Sequence, residues 1–422
     1  MIRSALFDRS RLPLVALLAA NAVSMLGNVF ALIAIPWYVL ETTGSASRAG
    51  LTGFAGALPF IIAGVFGGAM VDRIGFRRMS ILSDLVSSLA VAAIPLMALT
   101  VGLAFWQLLA LVFVGGLLDT PGTTARMSML PDLAARAEMP LERVNAIEQL
   151  IQRGAFLLGA PLAGLVIATA GVDAALWIDA ASFVLSAALV VALVPATVSA
   201  IETERPALAS FREDLLVGLA FIRRDALMTC LIVQVSLMNF IDAMIGLIIP
   251  VYAVEVYGSA SALGLMLAAH GAGAVVTTLL FAAVGHRLPR RSVYIAAFVL
   301  AGVPLFALTL TPALAVVLAA LVVRGFGAGP LNPILMTISQ ERVPAELRGR
   351  VFGVTTSIAW LAIPAGRLLA GYLVEWAGLV LALGGVAIVY VLATTSMYRL
   401  PALRDMDRRV DPVVARAGSA IV

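Results

Sequence analysis

Twelve apolar stretches separated by short polar breaks run along this chain. Most approach or exceed the ~20 residues a helix needs to cross a hydrocarbon core. They fall at Leu14–Leu40, Ala49–Val71, Met79–Leu99, Phe105–Thr124, Ile147–Ala170 and Ala174–Val194. After a polar break the second six follow, at Ala226–Tyr252, Ala262–Val284, Val293–Leu310, Leu314–Met336, Val351–Val374 and Leu379–Tyr398. The pattern predicts an all-α membrane protein of twelve transmembrane helices. Its halves would be residues 1–194 and 226–399, with a linker at 195–225 and a tail at 400–422. Within the linker, Phe211, Leu215, Leu219 and Ile222 recur at helical spacing among Arg212, Glu213, Asp214, Arg223 and Arg224. That spacing predicts a short amphipathic helix on the membrane surface, tethering the halves. The first stretch is too long for a cleaved signal peptide, and a second follows it at once.

Composition agrees and narrows the energy source. The chain is 62% hydrophobic and 12% charged over 422 residues, with a mean hydropathy of +1.04; soluble domains carry about 25% charged residues. It has no lysine: all 28 basic residues are arginine. A phosphate-binding loop of the G-x-x-x-x-G-K-[ST] type is therefore impossible, as is Schiff-base chemistry. The chain cannot drive pumping with ATP by itself, which leaves an ion or substrate gradient. Cys230 is a lone cysteine, and His270 and His286 stand alone in their segments. No disulfide, metal centre or other cofactor is expected, and no enzymatic activity.

The arginines orient the spans. Arg3, Arg9 and Arg11 precede the first, and Arg73, Arg77 and Arg78 follow the second. Arg126, Arg136 and Arg143 lie between four and five, and Arg205, Arg212, Arg223 and Arg224 in the central break. Arg287, Arg290 and Arg291 follow span eight, Arg342, Arg348 and Arg350 follow span ten, and five more begin at Arg399. With alternating spans, all of these share one side, and only Arg48 falls on the other. The positive-inside bias places both termini in the cytoplasm of a multi-pass inner-membrane protein. The pI near 9.6 then reflects topology rather than a nucleic-acid-binding face.

After span two stands Gly68-Ala-Met-Val-Asp72-Arg73-Ile-Gly75-Phe-Arg77-Arg78, an acid and three arginines in a tight turn. Such a cluster can hold helix ends together in one state and release them in another. It resembles the G-x-x-x-D-R-x-G-R-R loop signature of the major facilitator superfamily, with Phe76 as a departure. A worn copy, Gly285-His286-Arg287-Leu-Pro-Arg290-Arg291, follows span eight without the acid. The segments from Leu117 (LLDTPGTTARMSMLPDL), Arg143 (RVNAIEQL) and Ser339 (SQERVPAELRGRVFGVTTSIAWLAIPAG) are similar to the macrolide-efflux and enterobactin-exporter branch of its drug:proton antiporters. The resemblance implies two parallel pseudo-repeat halves of six helices. It also implies a conformational latch of Gly68, Asp72, Arg73, Gly75, Arg77 and Arg78, joined by Asp84 and Arg126. On span five, Gly159-Ala-Pro161-Leu-Ala-Gly164 resembles the antiporter signature G-P-x-x-G-G, a kinked helix for close contact; an ordinary proline kink is the plainer reading. Span eleven echoes it at Pro364-Ala-Gly366-Arg367. The R-x-x-G signature of span four is missing at Val112, but its spacing occurs on span ten as Arg324-Gly-Phe-Gly327.

Ionisable side chains within the bilayer are costly and therefore functional candidates. Measured against the apolar stretches, Asp84, Asp119, Glu148 and Arg153 sit toward cytoplasmic ends, and Asp179 near the outer end of span six. Asp242, Arg324 and Arg367 fall near the middle. In the resembled fold, spans one, four, seven and ten line the cavity, which brings Asp242 and Arg324 together, with Arg367 on a flanking helix. Proton coupling or substrate contact is expected among Asp242, Arg324, Arg367, Asn28 and Asp119; a purely structural ion pair is the alternative. The implied activity is export of a small apolar or amphipathic compound by proton antiport, from a monomer in the lipid bilayer. A siderophore or organic-anion exporter, an importer, or a transport-inactive membrane scaffold or sensor are the other readings.

Overall fold

The computed structural model describes residues 10–196, 209–344 and 347–408, without the side chains of residues 64–69, 72, 209–215, 286 and 349. Among the described residues, twelve helices are long and apolar enough to cross a membrane. Spans one to six are Leu12–Thr43, Ala46–Ile74, Phe76–Thr100, Phe105–Arg136, Leu141–Ala170 and Val172–Leu193. A linker helix, Ala209–Arg224, precedes span seven, Ala226–Tyr252, which passes into a π-helical turn at Ala253–Tyr257. Span eight is Ala260–Val284. Span nine is broken into Arg290–Gly302 and Leu305–Thr309, and span ten into Leu314–Ala328 and Leu331–Arg342. Spans eleven and twelve are Arg348–Ala377 and Leu379–Arg399.

Two features depart from the hydropathy pattern. Spans nine and ten are not continuous, because Pro304 and Pro330 offer no N–H to the helical ladder. Span four runs twelve residues past the expected Thr124 to Arg136, since apolarity marks only the lipid-embedded part of a helix. At ~1.5 Å per residue the extension adds about 18 Å. It places Arg126 within a helix rather than a loop, and Asp119 at mid-helix rather than near the arginine-rich end.

The pseudo-repeat is visible in its connections. A single glycine joins spans five and six, and another joins eleven and twelve: Gly171 at φ 86°, ψ 166° and Gly378 at φ 83°, ψ 158°. A positive φ is open to glycine and strained for other residues. By contacts the chain forms two units, Met1–Glu204 with Ala253–Ala268, and Arg205–Tyr252 with Ala269–Val422. In the first, Leu14, Leu17, Met129, Leu133, Val144 and Val190 form a core at the arginine-rich ends of spans one, four, five and six. In the second, Ile222 of the linker helix packs with Met228, Val343, Val351 and Val354. A Cβ on Gly218 would lie 2.7 Å from Val354 Cγ2 and 3.0 Å from the Arg350 carbonyl oxygen. The expected surface tether is thus seated against span eleven.

Candidate functional site

At the turn after span two, Gly75 ends one helix and begins the next at φ 89°. Two residues on, Arg77 Nε donates to the Val194 carbonyl and Nη2 to the Val191 carbonyl, each at 2.7 Å. Carbonyls in the last turn of a helix lack intrahelical partners and carry partial negative charge, so Arg77 ties span three to the end of span six. Arg73 and Arg78 are exposed. The side chain of Asp72, and any Cβ space at Gly68, lie outside the described residues. Arg126 pairs with Asp84. Its Nη1 donates to Asp84 Oδ1 at 2.8 Å, and the Ser186 hydroxyl donates to Oδ2 at 2.7 Å. With Asp84 fully buried and Arg126 only 3% exposed, this pair fastens spans three, four and six.

The second half repeats the arrangement with the charges exchanged. Arg290 at the start of span nine makes a two-point contact with Glu341 at the end of span ten, at 2.6 and 2.8 Å. Arg291 Nη2 donates to the Tyr398 carbonyl of span twelve at 3.0 Å, as Arg77 does at span six. Glu341 takes part in this contact although the worn motif after span eight has no acid of its own. Only its pseudo-symmetric placement opposite Arg290 could have marked it in the sequence.

Span one carries a polar stripe. Asn21, Ser24 and Asn28 share a face at intervals of three and four. Asn21 donates to Glu148 of span five, which also lies 3.4 Å from the Gln152 amide. Asn28 lies two turns further along the same face. Between them, a Cβ on Gly27 would meet Asp179 Oδ1 at 2.5 Å and Ser182 Oγ at 2.0 Å. Asp179 is fully buried. Glu148 and Asp179, on two different helices, thus meet span one. Depth counting set Asp179 aside, yet it is the eighth of 22 residues in its helix, about 10 Å in from the end.

In the second unit, Asp242 Oδ1 accepts from Arg324 Nη2 at 2.6 Å. Arg324 Nη1 donates to the Ala301 carbonyl at 2.7 Å, beside the break in span nine, and the guanidinium lies 5.8 Å from the centre of the Tyr390 ring. The arginine side chain is 9% exposed and the aspartate 41%. One partner is therefore held by protein while the other keeps an open side. Glycines give Arg324 its setting: a Cβ on Gly325 would fall 2.1 Å from the His270 carbonyl oxygen, and on Gly327 2.2 Å from that of Ala297. The Arg-Gly-Phe-Gly spacing thus lets span ten press on spans eight and nine. Arg367 is half-buried on span eleven. Its neighbour Gly366 approaches the Phe240 carbonyl, where a Cβ would lie at 2.3 Å.

Span five contacts helices through both glycines of its motif. Gly159 faces Leu26 and Val29 of span one. Gly164 faces span eight, where its Cβ would lie 2.5 Å from the Ala260 carbonyl oxygen; reciprocally, a Cβ on Gly264 would lie 2.5 Å from that of Ala160. Pro161 lies inside the helix between them. Beside this contact, Ala22, Leu26, Ile151, Ala155, Leu158 and Leu162 line an apolar recess of about 280 Å3 between spans one and five.

Twelve spans in two related halves, with matched arginine ties, agree with the comparison to known families. The Major Facilitator Superfamily model matches residues 17–260 and 236–415. This chain belongs to the Major Facilitator Superfamily. It is therefore a multi-pass membrane protein of a transporter family and not an enzyme. It is 32% identical to the multidrug efflux pump Tap of Mycolicibacterium fortuitum over 409 residues, 96% of this chain and all of that one. Macrolide efflux protein A of Streptococcus pyogenes matches at 23% over 365 residues, 85% of this chain and 89% of the other. Among solved structures, the nucleoside transporter NupG shares the fold at a TM-score of 0.72 and 12% identity, covering 91% of this chain and 98% of its own.

Proposed function

We propose that this superfamily member sits in the inner membrane with both termini in the cytoplasm. There it exports small apolar or amphipathic compounds by proton antiport, its two halves rocking to alternate access. The observation that carries the reading is full-length similarity to a multidrug efflux pump, 32% identical from end to end of that relative. The macrolide efflux relative points the same way. Asp242 and Arg324 supply coupling chemistry. An acid with one open side, set against a buried arginine, can exchange its arginine for a proton as the surroundings change. Asp72 and the arginines of its turn serve as the latch of one conformation.

The organic-anion reading draws on mid-membrane arginines, but Arg324 is already engaged by Asp242 and the Ala301 carbonyl. A scaffold has no use for a half-exposed acid facing a buried arginine. The test is expression in a host stripped of its own pumps, challenged with a panel of toxic compounds. Raised tolerance to lipophilic compounds, with lower cellular accumulation, is expected. Unchanged tolerance throughout, with no flux after reconstitution, would favour the scaffold.

A further inference from the structure

Arg324 and Asp242 are held by different elements and to different degrees. Arg324 Nη1 donates at 2.7 Å to the carbonyl of Ala301. That residue stands in the last turn of the first segment of span nine, where carbonyls lack intrahelical partners. Three residues on, Gly327 brings the backbone of span ten to the same turn: a Cβ there would lie 2.7 Å from the Ala301 nitrogen. From span twelve, the Tyr390 ring centre lies 5.8 Å from the guanidinium, within the range of a cation–π contact.

The ring is itself fixed. Tyr390 is fully buried, and its edge fills the gap left by Gly302, where a Cβ would fall 2.5 Å from Cδ1. Phe298 tilts against it with ring centres 6.3 Å apart, and Tyr294 meets Phe298 edge-on at 5.0 Å. One short stretch of span nine, just before its break at Pro304, thus seats the ring and accepts from the guanidinium.

Asp242 belongs to another set of contacts. Asn239, one turn earlier on span seven, donates to the Ala359 carbonyl of span eleven at 2.9 Å. The Phe240 carbonyl lies where a Cβ on Gly366 of span eleven would be at 2.3 Å. Asp242 meets Arg324 through Oδ1 at 2.6 Å, with its side chain 41% exposed. Arg367, next to Gly366, stands on the span-eleven side of this division, and His270, whose carbonyl faces Gly325, on the span-ten side. The ion pair therefore joins spans seven and eleven to spans nine, ten and twelve.

We propose that Tyr390 is a positioning residue: it holds Arg324 in place against span nine, so that Asp242, carried by spans seven and eleven, is the partner that leaves. A guanidinium free to swing would follow the carboxylate through a helix movement and keep it paired. One fixed by a carbonyl and a ring stays behind, and the separated carboxylate takes a proton from water and returns it when the pair closes; only an O–H bond forms and breaks. This positioning rests on the reading of Asp242 as the coupling acid and adds which partner moves.

Solid-state NMR of arginine-labelled protein in lipid bilayers reads whether the Arg324 guanidinium is rigid, with Arg324→Lys identifying its signal by loss. The guanidinium is expected to be rigid in wild type, in Asp242→Asn and in Tyr390→Phe, which keeps the ring, and mobile in Tyr390→Leu. In proteoliposomes, Tyr390→Leu loses uphill efflux of a lipophilic dye driven by a pH gradient while keeping downhill exchange, and Tyr390→Phe restores the uphill movement. A guanidinium that turns mobile in Asp242→Asn overturns the proposal, because the acid is then what holds it; that comparison decides alone should Tyr390→Leu fail to insert. A rigid guanidinium in Tyr390→Leu overturns it too, as does uphill efflux at the wild-type rate by Tyr390→Leu where Asp242→Asn has none. A guanidinium that behaves as expected, in a protein whose Asp242→Asn variant still pumps uphill, leaves the anchor standing and removes Asp242 as the coupling acid.

Discussion

At the residue scale, two ion pairs should differ in weight, one buried and joined at a single contact, the other open to water and joined at two. Removing one partner of a fully buried pair strands a charge and costs about 3–5 kcal/mol, whereas pairs open to water contribute about 0–1 kcal/mol. Asp84–Arg126 is of the first kind and Arg290–Glu341, 22% and 33% exposed, of the second. Asp84→Asn should therefore lower the midpoint of thermal unfolding in detergent severely, and Glu341→Gln only slightly. Equal losses would mean that burial does not set the strength of these ties. Asp84 is conspicuous in the sequence as a charge within an apolar stretch, and Arg126 as one of the arginines that follow span four. Which partner each takes was not legible, since partner choice depends on side chains converging from helices forty residues or more apart.

At the level of elements, apolar length gave the helices and arginine placement gave their alternation. Ends and breaks were less legible. Span four keeps its helical ladder beyond the lipid through Arg126 and Arg136, where hydropathy no longer reports structure, and so Asp119 was read as shallow. Asp179 lies close to the outer end of its apolar stretch, and only the approach of span one at Gly27 buries it. The glycines of span five were readable as close-packing residues, but not their partners. Their contact yields a sharp expectation. Gly164→Ala puts a methyl 2.5 Å from a backbone oxygen of span eight, while Gly154→Ala in the same helix meets nothing within 4 Å. Overpacking of this kind costs about 1–3 kcal/mol. Gly164→Ala should lower thermal stability and transport together, and Gly154→Ala neither; the reverse order would contradict the packing.

The whole molecule can be tested for its topology and for its transport. The arginine distribution assigns both ends to the cytoplasm. Reporter fusions after Thr203 and after Asp411 should both give cytoplasmic signals, and a periplasmic signal from either would contradict the assignment. The fold itself was legible because apolar runs of ~20 residues satisfy their backbone in lipid only as helices. What the chain moves was not, because apolar walls that face lipid and apolar walls that face a substrate use the same residues. Proton-driven export can be tested in proteoliposomes loaded with a lipophilic dye. When a pH gradient is imposed, wild-type protein should move the dye uphill, and Asp242→Asn should retain only downhill exchange. Wild-type protein that carries the dye downhill but never responds to the gradient would contradict the account.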